Sequence, residues 1–575
     1  MLKKSLSFIK LICIFSLTSL IILSPLIMSK NLYTGIDMGF HLNRAYDLAE
    51  NLKHLNFFPF ISTYSFNHLG TQINMAYGLL PIYPLAIGLI LFKNPIMGIY
   101  FGIVIIQVIS ALFSYYFSFR YFKSKQKALL FALIYVYSVF NLSFLVGSFS
   151  FGEISATTFL PLIAYGTYSI LYGKNEWWYL AIGMALTFYS HLLSVLIYSI
   201  FVFVIFIFSA INSQLTIIKF KSFVYAALST VLMSSFYLVN FFTMLKDQKM
   251  SSTMIVDTTA NEMKLSNIII QSLDHELFGT FFIIMIIVSL VYWKWLSNNS
   301  KVLFLLGTFF TCFVTPFFDF FWKIIDKTPL KMIQFPYRFL VLSTFCFSLI
   351  MVDPITTWIS ENRSKNILLF KKITIVCCSL IAALSWSTTF ARTKSDNTAI
   401  SKPTLSTQLP FNNYKVDSTT FKYLTKYYYN GVGDTDYWPT KSIKSNSRKD
   451  KLKHNIAYIN NTQILSNPIA LPNEINYMVK TTAYGNLDLP FFYSKHLKIL
   501  VNGKKYTYEN SNRGTVLLSS LPKGLHTIQI IYQPTLTIKI AAILSVLTFI
   551  YLIICSVLPH QNKRLEKNIA SKKTI

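Results

Sequence analysis

A short polar segment near the N-terminus holds the residues best suited to chemistry. The segment TGIDMGFHLNR, residues 34–44, follows a long apolar run and places Asp37, His41 and Arg44 at i, i+4 and i+7. On a helix these three positions share one face. An acid, an imidazole and a guanidinium there could handle a phosphorylated lipid at the edge of a membrane. The spacing also fits a solvated turn with an internal ion pair, and both interpretations stay open.

Asp37 is the strongest candidate in this segment. Its carboxylate could accept a proton from an acceptor hydroxyl, or hold a divalent cation such as Mg²⁺ or Mn²⁺ against a phosphate. Ionisable residues beside membrane spans are functional candidates because burying them is costly. We therefore predict that Asp37 is a catalytic residue and a metal ligand.

Four polar residues later in the chain also lie beside apolar runs. Glu153 could be a second catalytic acid, although an acid placed only to favour a helix dipole would look the same. Arg338, at the end of QFPYR, could bind a phosphate or anchor its helix at the membrane surface. For His191, in FYSHLLS, the competing interpretation is a lone membrane histidine bonded to a backbone carbonyl. We predict substrate or phosphate contacts at His41, Arg44, His191, Gln334 and Arg338.

The composition identifies the class of protein. Apolar residues make up 53% of the chain and charged residues only 13%, whereas soluble domains carry about 25% charged residues. Apolar runs long enough to cross a bilayer recur along the chain, and they are continuous rather than alternating. We predict a polytopic α-helical membrane protein of about 12–13 spans, because in lipid only helices or closed barrels satisfy the backbone.

The distribution of basic residues predicts the orientation. The net charge of +29 would suggest nucleic acid as the partner of a soluble protein, but here many lysines and arginines fall between spans. The positive-inside rule then places both termini in the cytoplasm, and we predict no nucleic-acid partner. The predicted spans are 11–28, 96–119, 128–146, 154–172, 177–193, 195–210, 222–242, 277–295, 302–318, 337–358, 372–390 and 536–558.

Two regions depart from this pattern of spans. Segment 73–92 is apolar but short and holds two prolines, so we predict a half-span or re-entrant helix. The segment LKILVNGKKYTYE, with its Asn-Gly turn, and the later segment GTVLLSSLPKGLHTIQIIYQP predict β-hairpins in an extracellular β-sandwich. Residues 440–455, rich in Lys, Ser and Asn, are predicted to be a mobile linker.

These observations give a predicted domain organisation. A transmembrane bundle with an outer loop at 29–75 is followed by the mainly-β extracellular domain, one last span and a basic cytoplasmic tail. The predicted boundaries are 1–390 for the bundle, 391–535 for the β domain, 536–558 for the last span and 559–575 for the tail. The chain contains no P-loop, no Gly-rich dinucleotide fingerprint and no HExxH motif, so we predict no nucleotide cofactor.

The order of several motifs resembles a known group of proteins. These motifs are GIDMGFHLNR, FGEISATTFLPLIAYG, LAIGMALTFYSHLLS, IQFPYRFL and the hairpin region near the C-terminus. With the early Asp, the multi-span bundle and the exported domain, the chain looks like the GT-C superfamily of polyprenyl-phosphate-sugar-dependent glycosyltransferases. It is more closely similar to bacterial YfhO-type membrane proteins and to those labelled 6-pyruvoyl-tetrahydropterin synthase-related.

The resemblance implies sugar transfer at the outer leaflet of a bacterial cell membrane. The donor would be a polyprenyl-phosphate-linked sugar, and the acceptor an anionic wall polymer or glycolipid such as lipoteichoic acid. By motif position the expected catalytic or metal-positioning acid falls on Asp37, with Glu153 as the second acid. Two alternatives stay open: a transporter or flippase of a lipid-linked saccharide, which would share the charged cavity, and a non-catalytic envelope assembly factor.

Overall fold

The computed structural model describes most of the chain. It covers residues 2–33, 35–212, 214–251, 256–274, 276–361, 383–394, 398–399, 414–427, 431 and 433–557. The predicted basic tail, and most of the predicted span at 372–390, lie outside the described residues.

Helices form most of the described structure. They are α1 (Leu2–Ser29), α2 (Met38–Lys53), α3 (Ile73–Ala76), α4 (Tyr83–Leu91), α5 (Pro95–Phe122), α6 (Lys125–Val136), α7 (Val139–Leu142), α8 (Phe151–Tyr172), α9 (Trp178–Phe188), α10 (Leu192–Ile211), α11 (Ile217–Met233), α12 (Ser235–Asp247), α13 (Leu265–Leu273), α14 (Thr280–Val291), α15 (Asn298–Phe313), α16 (Asp319–Ile325), α17 (Leu340–Glu361), α18 (described at 383–394), α19 (Ser418–Lys422), α20 (Asn446–Lys453) and α21 (Leu536–Val557).

Six apolar helical stretches in the described part of the chain are long enough to cross a membrane, and each overlaps a predicted span. Three further pairs of helices qualify only when each pair is taken as one span, and they bend by 45°, 58° and 79° at their breaks. The result confirms a polytopic helical membrane protein. The six stretches are Phe8–Ser29, Pro95–Phe122, Phe151–Tyr172, Leu192–Ile211, Pro336–Asp353 and Leu536–Ser556.

Two of the predicted spans are only short helices in the structure. Segment 177–193 contains the 11-residue helix α9, and segment 277–295 contains the 12-residue helix α14. A straight crossing of a bilayer needs about 20 residues, so hydropathy alone overestimated the length of both helices.

The short apolar segment at 73–92 folds as two small helices, α3 and α4. The nine residues of α4 are too few to cross a bilayer. Instead α4 packs tightly on α5, where a Cβ atom added at Gly88 would lie 2.0 Å from the carbonyl oxygen of Gly98. Small residues let two helix backbones approach this closely.

Strands are concentrated towards the C-terminus. Two antiparallel five-stranded sheets have the orders β10-β9-β13-β7-β6 and β11-β12-β8-β4-β5, and a small third sheet has the order β1-β3-β2. The strands are β1 (Leu32–Tyr33), β2 (Thr398–Ala399), β3 (Tyr414–Val416), β4 (Ile456–Ile459), β5 (Thr462–Leu465), β6 (Ile469–Leu471), β7 (Glu474–Thr481), β8 (Gly485–Phe492), β9 (Leu497–Val501), β10 (Lys504–Lys505), β11 (Glu509–Asn510), β12 (Thr515–Leu521) and β13 (Gly524–Tyr532).

The two larger sheets pack their apolar faces together. Along β7, Ile475, Tyr477 and Val479 are buried while the residues between them are more exposed, and the same alternation occurs on β9. These side chains join Leu487 and Leu489 of β8 in one apolar core. This is the predicted sandwich, and it confirms a β-rich C-terminal region. The hairpin predicted for GTVLLSSLPKGLHTIQIIYQP is wrong, because β12 pairs with β8 and β11 whereas β13 pairs with β7 and β9 in the other sheet. The Pro-Lys-Gly turn therefore connects the two sheets, which depends on long-range pairing that the turn residues do not determine.

The predicted mobile linker at 440–455 is instead ordered. It contains α20, where Leu452 is fully buried and Lys453 forms an ion pair with Asp434. The prediction was wrong because a polar composition was interpreted as disorder, whereas long-range packing fixes this segment. The ordered segment follows the loop 433–438, which lies against the N-terminal part of α2: a Cβ atom at Gly433 would lie 3.3 Å from the Phe40 ring.

Candidate active site

Asp37 lies where the loop after α1 meets the start of α8. It is the residue before α2, its backbone N–H donates to the Ser148 carbonyl (3.1 Å), and its Oδ2 accepts from the Ser150 hydroxyl (2.8 Å). The two segments touch so closely that a Cβ at Gly35 would lie 2.6 Å from the carbonyl of Ser148. Asp37 is therefore held by a tight backbone contact rather than by a flexible loop.

Glu153 and Arg338 form an ion pair beside Asp37. Arg338 Nε lies 2.9 Å from Glu153 Oε1, and the two side chains are only 12% and 14% exposed. The Nε–H does not reach the oxygen at a hydrogen-bonding angle, so the contact is electrostatic rather than a directed bond. Arg338 Nη1 donates to the carbonyl of Ile333 (2.8 Å) and to Gln334 Oε1 (3.2 Å). The Arg338 charge also acts on the Asp37 carboxylate.

His41 and Arg44 lie on the next turns of α2 and are almost completely buried. The His41 ring meets Phe40, Tyr77 and Phe151 edge-on, at centroid distances of 5.2, 5.6 and 5.6 Å. The guanidinium carbon of Arg44 is 4.7 Å from the Tyr77 ring centroid, a cation–π contact. Its Nη2 donates to the backbone carbonyls of Tyr77 (3.0 Å) and Gly78 (2.7 Å).

Several polar atoms in this group have no hydrogen-bond partner within the described structure. They are Nδ1 of His41 and both Nε and Nη1 of Arg44. Buried polar atoms are nearly always paired with protein, water or a ligand. A buried guanidinium with free donors is costly for the fold, and such costs are typical of functional sites.

His191 completes the predicted set. It lies between α9 and α10, where its Nδ1 is 2.9 Å from the Ser194 hydroxyl and its ring is 5.7 Å from the Tyr77 ring. The local contact that the structure gives is therefore with a serine side chain. All seven predicted residues are connected through neighbouring contacts at the junction of α2, α8, α10 and α17.

Tyr77 links these residues, although it is not among the site residues that the sequence predicts. Its ring contacts both histidines and Arg44, and a Cβ atom at Gly152 would lie 2.4 Å from its hydroxyl oxygen. The sequence feature that could have drawn attention to Tyr77 is the pair of prolines in segment 73–92, where the structure has the break between α3 and α4. Because Tyr77 follows α3 directly, the broken apolar segment brings an aromatic side chain into the site.

An Asp-x-Asp pair in GDTDYW, Asp434 and Asp436, was also missed. It lies in the loop before α20, within the region assigned to the exported domain. Asp434 pairs with Lys453, whereas Asp436 is close enough to Asp37 for the two carboxylates to repel. Tyr437, the next residue, lies near the Arg44 charge. The sequence signal was present, but nothing local indicates that this loop reaches α2.

Burial and charge shift the acids and bases of the site in a consistent way. Burial raises the pKa of Asp37, while the Ser150 hydrogen bond and Arg338 lower it. Burial, together with Asp37 and Asp434, raises the pKa of Asp436 to about 6. Burial lowers the pKa of His41 well below its usual range, and Arg44 and His191 act in the same direction. The site therefore combines carboxyls of raised basicity with a neutral imidazole.

The donor set can be compared with that of a divalent-cation site. No group of three or more His, Cys, Asp or Glu side chains in the described part of the chain is placed to hold a metal. Mg²⁺, however, is commonly bound by one or two carboxylates and completed by water and substrate phosphate. Asp37 and Asp436 are two carboxylates whose charges act on each other, and this is the donor chemistry that such a cation, bound together with a phosphate, would use.

The fold and the site define a polytopic helical membrane protein with a buried acidic site beside a β-rich region. A family model described as "6-pyruvoyl-tetrahydropterin synthase related domain; membrane protein" matches residues 76–391, which is more than half of the chain. The chain belongs to this family, and the resemblance to it that the motifs predicted is confirmed.

Comparison with solved structures gives a distant similarity. The chain is similar to the Archaeoglobus fulgidus oligosaccharyltransferase, solved with a tethered acceptor peptide containing the NVT sequon, at 13% identity and a TM-score of 0.32. The match covers 67% of this chain and 54% of that chain, so it spans about half the length of the archaeal protein. No curated protein matches the chain.

Proposed function

We propose that this protein is a membrane glycosyltransferase that transfers a sugar from a polyprenyl-phosphate donor to a cell-envelope glycopolymer or glycolipid. The observation that carries the proposal is Asp37, a carboxylate of raised pKa held beside Arg338 and Asp436 next to the membrane bundle. The site's acids and cations suit a reaction in which a hydroxyl loses a proton and a lipid phosphate leaves. Lipoteichoic acid is one acceptor of the proposed class.

The proposed reaction assigns a role to each side chain. Asp37 takes the proton of the acceptor hydroxyl, whose oxygen bonds to the anomeric carbon of the sugar. The bond from that carbon to the phosphate oxygen breaks, and its electron pair leaves on the lipid phosphate. Arg338 stabilises the negative charge on the phosphate. Glu153 acts as a positioning residue, because its ion pair fixes the Arg338 guanidinium.

A divalent cation, Mg²⁺ or Mn²⁺, is part of the proposal. Asp37 and Asp436 would hold it, and it would neutralise charge on the leaving phosphate. Binding can be measured apart from activity, by the quenching of protein fluorescence or electron paramagnetic resonance with Mn²⁺. Weaker Mn²⁺ binding by Asp436→Asn than by wild type supports this placement, and unchanged binding contradicts it.

We also propose an orientation. The site faces the outside, both termini lie in the cytoplasm, and the donor and acceptor reach Asp37 from the outer leaflet. The loop charges support this arrangement through the positive-inside rule. Protease accessibility of the β sandwich in intact cells checks it.

A transporter of a lipid-linked saccharide is the second candidate, because the structure contains three bent helix pairs. Discontinuous helices of this kind form substrate sites in many transporters. The two functions differ in their products: a transferase changes the covalent state of the sugar, whereas a transporter changes only the leaflet in which it is found.

The deciding experiment measures sugar transfer by the purified full-length protein in lipid vesicles. Radiolabelled sugars on synthetic polyprenyl phosphates are incubated with envelope fractions, with chelator or with added Mg²⁺ or Mn²⁺. Asp37→Asn should lower transfer by about 10²–10⁴-fold, the range for loss of a general base. Asp274→Asn removes an exposed acid after α13 and is the matched control.

Two outcomes would overturn the assignment. Equal transfer by wild type and Asp37→Asn would remove Asp37 from the reaction. No transfer from any donor by well-folded protein, combined with movement of the labelled lipid between leaflets, would support the transporter instead.

A further inference from the structure

A large cavity in the described part of the bundle extends away from the acidic site towards the far end of α8. It has a volume of about 150 Å³ and is enclosed by α5, α6, α8, α10, α15 and α17. Along α8 its lining extends from Pro161 to Tyr172, which follow Glu153 by 8 and 19 residues, or about 12 and 28 Å, and none of the lining residues belongs to the acidic site. The cavity is therefore separate from the acidic site.

The lining of this cavity is suited to hydrocarbon. Its deep part is formed by buried apolar side chains such as Phe117, Phe131 and Phe345. An engineered apolar cavity of about 150 Å³ stays free of water and binds benzene, so a space of this size can take part of a hydrocarbon chain.

The cavity opens at the surface of the bundle. Three of its lining residues are exposed: Tyr172 on α8, Phe208 on α10 and Asn299 on α15. Tyr172 and Phe208 are 51% and 43% exposed, which is expected of apolar side chains that face lipid. A lipid chain could therefore enter from the side, between these three helices.

Basic residues surround this end of the bundle on two sides. Lys127 pairs with Asp353 (3.0 Å), and Asp353 also accepts a hydrogen bond from Ser300, the neighbour of the lining residue Asn299. On the other side, the guanidinium carbon of Arg120 lies 5.1 Å from the ring centroid of Tyr165, which lines the cavity.

Two further cations lie beside Arg120. The charges of Arg120 and Lys174 both act on Lys123, and together with burial they lower the pKa of Lys123. Arg120 Nη2 lies 2.5 Å from Glu176 Oε1, so this ion pair balances the Arg120 charge. Lys123 and Lys174 add two positive charges beside the pair. Lys123 and Lys174 each follow a lining residue, Tyr121 and Tyr172, by two positions, so both lysines lie at the edge of the cavity. Together these residues form a positively charged rim around a mostly apolar cavity.

We propose that this cavity binds one hydrocarbon chain of an anionic phospholipid, whose phosphate is held by Lys123 and Lys174. An apolar pocket with a basic rim complements a lipid that combines a long chain with a negative head group. The lipid belongs to the leaflet at the basic end of the bundle, and it does not take part in the sugar transfer proposed at Asp37.

The test uses the full-length protein in phosphatidylcholine vesicles that contain phosphatidylglycerol with a photoactivatable group in one acyl chain. After illumination, labelled peptides are identified by mass spectrometry. In the wild-type protein the label should fall on the segments that line the cavity, especially the start of α15. Labelling should fall several-fold in Leu306→Trp, which fills the cavity, but not in Leu305→Trp, whose side chain is 59% exposed on the same helix.

The head-group site is tested by competition with unlabelled phosphatidylglycerol. Each cation should contribute about 5-fold in affinity, the equivalent of about 1 kcal/mol, so Lys123→Gln with Lys174→Gln should weaken competition by about 25-fold. The pair Lys219→Gln and Lys221→Gln removes two basic residues at the start of α11 and is the matched control.

The proposal is overturned if the label in wild-type protein misses the cavity-lining segments. This outcome is measured on wild-type protein alone, so it can be judged even when a variant fails to fold. It is also overturned if a phosphatidylcholine probe labels these segments as strongly as phosphatidylglycerol does. Labelling by a polyprenyl-phosphate probe in place of phosphatidylglycerol would assign the cavity to the donor lipid and contradict the proposal. Because the readout is lipid labelling, a failure here is distinguishable from a failure of the transfer assay.

Discussion

Arg338 Nε lies 2.9 Å from Glu153 Oε1, in an ion pair that joins the start of α17 to the start of α8. The two charges lie in a mostly buried environment, and the Asp37 carboxylate is close enough to interact electrostatically with both. The pair therefore has a structural effect, because it connects two spans, and a chemical effect, because it fixes a cation beside Asp37.

Breaking this pair from one side should destabilise the protein strongly. Glu153→Gln leaves the Arg338 charge without its counter-charge, and removal of one partner of a buried pair costs about 3–5 kcal/mol. The measurement is thermal or denaturant unfolding of the purified protein in detergent. Glu50→Gln removes the partly exposed i,i+3 pair with Lys53 and is the control, with an expected cost of less than about 1 kcal/mol. Equal losses in the two variants would show that the Glu153 pair is not buried in the functional state.

Asp47 should make the stability of the protein depend on pH. It is fully buried on α2, and its Oδ1 accepts from the backbone N–H of Tyr64 (3.0 Å). Burial raises its pKa to about 7, above the ordinary value of 3.8. The folded state thus holds a proton that the unfolded state releases, so the stabilisation is present below about pH 4 and is lost as the pH rises through 7.

The substitution Asp47→Asn removes this titration and keeps an acceptor oxygen for Tyr64. Between pH 4 and 7 the free energy of unfolding should therefore fall more in wild type than in Asp47→Asn. Asp450→Asn, at an exposed acid of α20, is the control and should follow wild type. A wild-type slope that survives in Asp47→Asn would assign the pH dependence to other groups.

The two acids of GDTDYW should respond differently to substitution. Asp436 is close to Asp37, and its pKa of about 6 means that it loses its negative charge as the pH falls through 6. Asp436→Asn should raise the Mg²⁺ concentration needed for half-maximal transfer by about 10–100-fold, and it should weaken the fall in wild-type transfer near pH 6, leaving the part that is due to protonation of Asp37.

Asp434→Asn is the matched variant for this prediction. Asp434 pairs with Lys453, so its loss should lower stability while leaving the Mg²⁺ requirement close to that of wild type. The reverse pattern, with the metal requirement changed only by Asp434→Asn, would exclude Asp436 as the residue that faces Asp37.

The sequence predicts the local parts of this site better than their assembly. The apolar runs identify the class of protein, and the spacing in TGIDMGFHLNR correctly places His41 and Arg44 on a helix that begins directly after Asp37. The helical periodicity of the sequence does not identify the distant segment that covers that helix. The electrostatic effect of Asp37 on Asp436 depends on how the loop before α20 folds back onto α2, which is decided by long-range burial.

The bent pairs illustrate the same limit. Hydropathy finds one apolar run at 222–242, but the structure breaks it between α11 and α12 with a bend of 58°. The partners that stabilise the break, such as the bond from Ser235 to the carbonyl of Ala541 on α21 (3.0 Å), come from the far end of the chain. A window of 20 residues contains no information on them.

The contact between Gly152 and Tyr77 gives a prediction that the sequence alone would not suggest. A Cβ at Gly152 would lie 2.4 Å from the Tyr77 hydroxyl oxygen, so Gly152→Ala must displace the Tyr77 ring. That ring contacts Arg44 and both histidines, and over-packing typically costs about 1–3 kcal/mol. We expect Gly152→Ala to lower both stability and transfer.

The double variant Gly152→Ala with Tyr77→Phe isolates this contact. Tyr77→Phe deletes the oxygen nearest to the new Cβ, although ring carbons at 2.8 and 2.9 Å remain close, so the rescue of stability should be partial. A double-mutant cycle of unfolding free energies measures the coupling, which should be between about 0.5 and 3 kcal/mol. Strictly additive effects would mean that Tyr77 does not pack against the start of α8, and the connection from Arg44 through Tyr77 to Glu153 would then have to be abandoned.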